Sequence, residues 1–139
     1  ALSETVASRL REAGVKAEVV AVGIKDCDFH YESHQMILKA ATNITMEIHK
    51  AACRLFDELW DGRAVRHLGI HTGRLQDADG FRQISMFDDM EYEKMELMDE
   101  TIDRIRRRFG MDAVKRSVFL TGGIDHMEGG IPRSFRGTA

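Results

Sequence analysis

Hydrophobic and polar positions change period several times along the chain, and each change predicts an element. Leu2, Val6, Leu10 and Ala13 recur at helical spacing, with Ser3 placed to cap and Gly14 to stop the helix. The stretch KAEVVAVGIK then alternates. Val20, Val22 and Ile24 fall on one face of a predicted strand, and Val19, Ala21, Gly23 and Lys25 on the other. Residues 26–33 are polar and read as the turn of a loose hairpin, its second strand near His34 to Leu38. From residue 43 to 60 the three-and-four spacing of Ile44, Ile48, Ala52, Leu55, Phe56 and Leu59 predicts a long amphipathic helix, with Asn43 as cap and Gly62 beyond its last turn. AVRHLGIHTGRL, residues 64–75, returns to strand: Leu68 and Ile70 share one face, and Val65, His67 and His71 the other.

This order, helix, strand, strand, helix, strand, is α+β. It completes a β-α-β-β-α-β sandwich if one strand precedes residue 1, giving an antiparallel or mixed sheet with two helices on one face. The chain opens almost directly inside a helical pattern and has no initiator methionine, so the reading is of a piece of something longer. A missing first strand would leave a sheet edge to be covered by residues 112–119, by a swapped neighbour or by a homodimer. Residues 76–89 read as a linker. Residues 90–120 read as a helix carrying Met95, Met98, Ile102, Ile105 and Phe109, followed by a short strand in AVKRSVFL. Residues 121–139, with five glycines and the one proline, read as a flexible tail.

Composition changes this picture little. With 139 residues, 43% hydrophobic and 31% charged, the chain suits one compact domain with an appendage. No apolar run is long enough to cross a bilayer and no secretory segment is present, so Cys27 and Cys53 read as reduced thiols of a cytoplasmic protein. A formal net charge of −3 argues against a uniform polyanion binder.

The distribution of charge says more than its sum. Between Gly62 and Leu75 stand Arg63, Arg66, Arg74 and two histidines, with no acid. Arginines beside strand amides suit phosphate contacts, which need no base pattern, although a merely solvated face has the same composition. The acids of 88–103 and the bases of 104–116 follow what a helix dipole favours, so Arg104, Arg106, Arg107 and Arg108 need no partner to explain them.

Candidate chemistry is sparse. Cys27, His30 and His34 have no second ligand pair at zinc spacing, and the carboxylate pairs Asp26/Asp28 and Asp88/Asp89 sit where acids are simply solvated. Cys53 lies beside an apolar stripe, and TGG at 121–123 lacks the spacing of a phosphate loop. No metal site, no cofactor and no catalysis are expected of this chain. The segment RQISMFDD, 82–89, is different: it sets Ile84, Met86 and Phe87 close together in an apparent linker, either to tuck under the domain or to dock in another protein.

QISMF resembles the pentapeptide with which bacterial proteins bind the sliding clamp of the replisome. Together with VVAVGIKDCDF, AVRHLGIHTGRL and IDRIRRRFGMDAVKRSVFL it looks like successive blocks, over roughly residues 4–120, of the C-terminal part of Y-family translesion DNA polymerases, in the bacterial ImpB/MucB/SamB branch of SOS mutagenesis polymerases. The resemblance implies a little finger domain over 1–75, gripping the primer-template backbone while an absent palm holds Mg2+ and the catalytic carboxylates. It implies DNA contacts by Lys25, Arg63, Arg66, His67, His71 and Arg74. It also implies clamp contacts by Gln83, Ile84, Ser85, Met86 and Phe87. Histidines at 67 and 71, where relatives often carry lysine or arginine, imply a weaker grip that depends on pH near neutrality. The competing class is an α+β protein-interaction module with no role on DNA.

Overall fold

In the computed structural model the described residues are 1–79 and 86–124, the side chains of 86–89 excepted. Three helices, three long strands and a short 3-10 turn follow in the order α1 (Leu2–Glu12), β1 (Val15–Asp26), β2 (Tyr31–Thr42), α2 (Thr45–Leu59), β3 (Val65–Asp77), α3 (Met86–Phe109) and the turn Ser117–Phe119. The strands form one antiparallel sheet in the order β2-β1-β3. The fold is α+β and little-finger-like, as the pattern and the resemblance predict.

The predicted stripes build the core. Val20, Val22 and Ile24 of β1 pack on Ala51, Ala52 and Leu55 of α2. Ala7 and Leu10 of α1 pack on Ala17 and Ile48. Ile70 of β3 touches both groups, so α1 and α2 cover the same face of the sheet. Leu68 and Ile70 stand opposite Ile24 and Val22, on the helix side where alternation puts them.

The helix starts differ from expectation. Ser3 is already inside α1, which Ala1 precedes, and its hydroxyl approaches His49 Nδ1 at 3.5 Å. Asn43 does not cap α2, because its side-chain amide donates to the Val15 carbonyl at 3.2 Å. Ile44 occupies the cap position, and the Thr42 hydroxyl accepts its N–H at 3.1 Å. The predicted stops hold: Gly14 and Gly62 follow α1 and α2 with φ of 69° and 95°, and Gly110 likewise follows α3 with φ 103°, values that cost glycine no Cβ clash.

The hairpin is longer and its turn tighter than predicted. Only residues 27–30 separate β1 from β2. One Asp26 carboxylate oxygen accepts the N–H groups of Asp28 at 2.9 Å and His30 at 3.0 Å, an Asx-type arrangement that fixes the turn. Phe29 adopts φ 65° within it.

Two further expectations fail. AVKRSVFL is not a strand: after Gly110 the chain turns back, and Arg106 donates to the Val114 carbonyl at 2.9 and 3.2 Å, leaving only the 3-10 turn at Ser117–Phe119. Nor do residues 112–119 cover a sheet edge, because Arg116 anchors that stretch at α1 through Glu4, 3.1 Å away. Among the described residues, both β2 and β3 are edge strands.

Candidate nucleic-acid interface

The face of the sheet turned away from α1 and α2 follows from the register. Residues directly opposite share a face, so cross-strand rows run Tyr31–Lys25–His67, Ser33–Gly23–Gly69, Gln35–Ala21–His71 and Ile37–Val19–Gly73. Neither α1 nor α2 covers these rows, and Tyr31 and Ile37 are each 56% exposed. In the middle, Gly23 and Gly69 pair directly, and side chains of the neighbouring rows lean over the space that their missing Cβ atoms leave. Tyr31 leans over Gly23, where any Cβ would meet its hydroxyl and ring.

A bulge adds one cation to this face. Lys25 pairs with His67 but Asp26 pairs with Val65, so Arg66 is the extra residue. Bulges re-aim side chains. The Arg66 guanidinium lies 4.4 Å from the centre of the Phe29 ring, and the Lys25 ammonium 5.7 Å from the same ring. The bulge also takes Val65 out of alternation and sets it opposite Asp26, so Val65 does not share the face of His67 and His71 as predicted.

Of the six predicted phosphate contacts, the structure brings Lys25, Arg66 and His67 together and sets His71 two rows away on the same face. Arg63 stands apart, ion-paired to Asp61 at 3.1 Å and Asp26 at 3.4 Å beside Trp60. Asp61 first, then Asp26, raise the pKa of its guanidinium. Arg74 is exposed near the far end of β3, with φ 48°. Sequence reasoning overlooked Phe29, Tyr31, Ser33 and Gln35. The alternation of β2 held the signal, but the predicted strand began too late to include Tyr31 and Ser33.

The one group of three metal-type ligands found among the described residues is Asp26, Asp28 and His30, with ligand atoms within 4.8 Å of one another. It joins the Asp26/Asp28 carboxylate pair to His30, while Cys27 and His34 are not in it. Asp26 already accepts two backbone N–H groups and meets Arg63 and His30, so its oxygens are committed. Cys27 and Cys53 are both free and exposed. Among the described residues no helix is long and apolar enough to cross a membrane. Gln83, Ile84 and Ser85 lie outside the described residues. Met86 and Phe87 open α3, but their side chains lie outside them too, as do those of Asp88 and Asp89.

A three-stranded antiparallel sheet, helices on one face and a bare, locally basic face on the other, define an α+β domain of the little finger type. Comparison with known proteins agrees: the impB/mucB/samB family C-terminal domain matches residues 1–86, and the chain belongs to that family. It is 39% identical over 121 residues to DNA polymerase IV of Acetivibrio thermocellus, covering 86% of this chain and 30% of the relative. It is 37% identical over 123 residues to DNA polymerase IV 2 of Bacillus subtilis strain 168, covering 86% and 29%. With DNA polymerase IV of Clostridium acetobutylicum the identity is 36% over 119 residues, covering 86% and 30%. The chain therefore spans about three-tenths of the length of these relatives.

Proposed function

We propose that the chain is the DNA-gripping and clamp-recruiting C-terminal portion of a DNA polymerase that copies past damaged template. The observation that carries the DNA part is the uncovered face on which Lys25, Arg66, His67 and His71 surround the Gly23–Gly69 pair. The names of its relatives support the same part. Cations that meet phosphates give affinity without sequence preference, which a polymerase needs to follow any template. Arg63 contributes indirectly, by holding Asp26 and with it the hairpin turn, while Arg74 reaches phosphates further along the duplex. The chain itself carries no chemistry, and Mg2+ and the nucleotidyl-transfer carboxylates belong to the rest of the parent enzyme.

The clamp part rests on QISMF. Gln83 supplies an amide to orient the peptide and Ile84, Met86 and Phe87 supply apolar area, with Ser85 as the small spacer. The open edges of β2 and β3 are where a further strand would pair, from a preceding segment or from a second copy of the chain.

Titration of a short DNA duplex at several salt concentrations tests the DNA part. Binding is expected to weaken as salt rises, and Lys25→Ala with Arg66→Ala to lower the slope of log K against log salt by about 0.9 for each phosphate that is no longer neutralised. Unchanged affinity and slope would assign the face to a protein partner instead.

A further inference from the structure

We propose that Gly69, His67 and His71 form a phosphodiester seat whose grip is coupled to proton uptake; this rests on the DNA reading above and specifies how one part of that face works. Histidines four apart on a strand ordinarily stand too far apart to share a ligand. Here both rings lean toward the glycine between them. A Cβ on Gly69 would lie 3.4 Å from His71 Nε2 and 3.8 Å from His67 Nε2, so the gap between the two nitrogens is no more than those two distances end to end. Contacts of about 2.8 Å from each nitrogen to two oxygens of one phosphodiester fit such a gap. Across the pairing, the Tyr31 hydroxyl hangs over Gly23, directly opposite Gly69, and supplies a third donor beside the same glycine pair.

The surroundings make the seat selective for an anion. On β1, Lys25 stands opposite His67 and the uncharged Ala21 opposite His71. On β2, Tyr31 and Gln35 complete those rows. On β3 itself the charged neighbours are Arg66 and Arg74, and Phe29 of the hairpin turn carries no charge. Two acids of β1 have partners of their own. Asp26 is held by backbone N–H groups and Arg63, and Glu18 meets Gln76 at 3.4 Å toward the far end of the sheet. Glu32 pairs with Ile24, on the helix side. Two imidazoles without a third ligand make a poor metal site, and neither belongs to the Asp26–Asp28–His30 group.

A neutral imidazole offers one N–H, and an imidazolium offers two and a charge. A phosphodiester stays anionic through the physiological range, so its arrival between the rings favours their protonated forms, and binding draws protons from solution. Affinity must then fall as pH rises, by up to about one decade per pH unit for each proton taken up.

Anisotropy titrations of the full chain with a fluorescent DNA duplex, at constant salt and from about pH 6 to about pH 8, test this. The wild-type chain is expected to bind about tenfold or more tightly at the lower pH. His67→Gln with His71→Gln should bind weakly and almost equally at both, and His67→Lys with His71→Lys tightly and almost equally at both. A flat wild-type profile, or a pH dependence that survives in the glutamine variant, overturns the seat while leaving DNA binding intact. A folded wild-type chain that binds no duplex at either pH overturns the DNA reading and the seat together.

Discussion

The Asp99 carboxylate of α3 accepts the backbone N–H of Thr45, the first residue of α2, at 2.9 Å. A side chain 54 positions away thus serves the helix terminus that Asn43 was expected to serve. The same carboxylate meets Arg11 at 3.1 Å and Arg116 at 3.7 Å and is almost wholly buried. Arg11 continues the cluster to Asp103 at 2.6 Å and to the Asn43 carbonyl at 2.8 Å. Leu97 is 61% exposed and Met98 42% exposed. Ion pairs therefore join the buried Tyr92 in seating α3.

Removing one member of a buried charge cluster leaves the others uncompensated. Asp99→Ala is expected to cost about 3 kcal/mol, read by urea unfolding, and to raise hydrogen exchange in both α3 and the first turn of α2. Glu96→Ala, which removes a half-exposed partner of Lys16 at 3.6 Å, should cost under about 1 kcal/mol. Equal costs for the two would mean that α3 is seated by its apolar residues instead.

Asp26 should make the hairpin sensitive to acid. Partial burial pushes its carboxyl up, but hydrogen bonds from the His30 and Asp28 amides, the nearby His30 ring and the Arg63 guanidinium outweigh it and hold the carboxyl below its ordinary value. A depressed carboxyl contributes stability that is complete above its unfolded value, about 3.9, and lost as pH falls through the folded one. Melting curves of the wild type and Asp26→Asn should therefore differ at neutral pH and converge in acid. A gap that widens as pH falls would reverse the assigned sign.

Much of the fold could be read from local pattern, because the Val20, Val22, Ile24 face and the Ile48, Ala52, Leu55 stripe are set by strand and helix periods alone. Whatever depended on a distant partner could not. Nothing in the sequence around Arg63 showed that it pairs with Asp26, far away along the chain. Arg66 reached the open face through a bulge, which shifts register by one residue and leaves no mark in the alternation. Ser3 and Asn43 carry the right chemistry for caps but face His49 and Val15. AVKRSVFL has strand-like residues and no strand beside it. The family blocks pointed to the candidate face, but Tyr31 and the glycine pair emerged only from the register and Phe29 only from its contacts with Lys25 and Arg66.

Filling the glycine strip should separate binding from stability. Gly69 is a strand residue without a positive φ, and a Cβ there meets only the two imidazoles at ordinary contact. Gly69→Val should keep the fold, as judged by circular dichroism and thermal melting, while weakening duplex binding by about tenfold because one phosphate can no longer settle between the rings. Gly23→Val must displace Tyr31 and should be the more disruptive of the two. Undiminished binding by a folded Gly69→Val chain would place the duplex elsewhere on the sheet.

The proposed recruitment to a clamp should be independent of the sheet. A chain that carries a working QISMF peptide should bind a bacterial sliding clamp with a Kd on the order of micromolar, as expected when one short extended segment supplies most of the contact. Gln83→Ala, Met86→Ala and Phe87→Ala together should abolish that binding, read by calorimetry, and leave duplex affinity unchanged, because none of the three is assigned to the DNA face. Loss of both activities in the triple variant would show that residues 82–87 support the domain itself. Clamp binding that survives in the variant would move recruitment to another surface, with the exposed Met90 and Leu97 of α3 the first to examine.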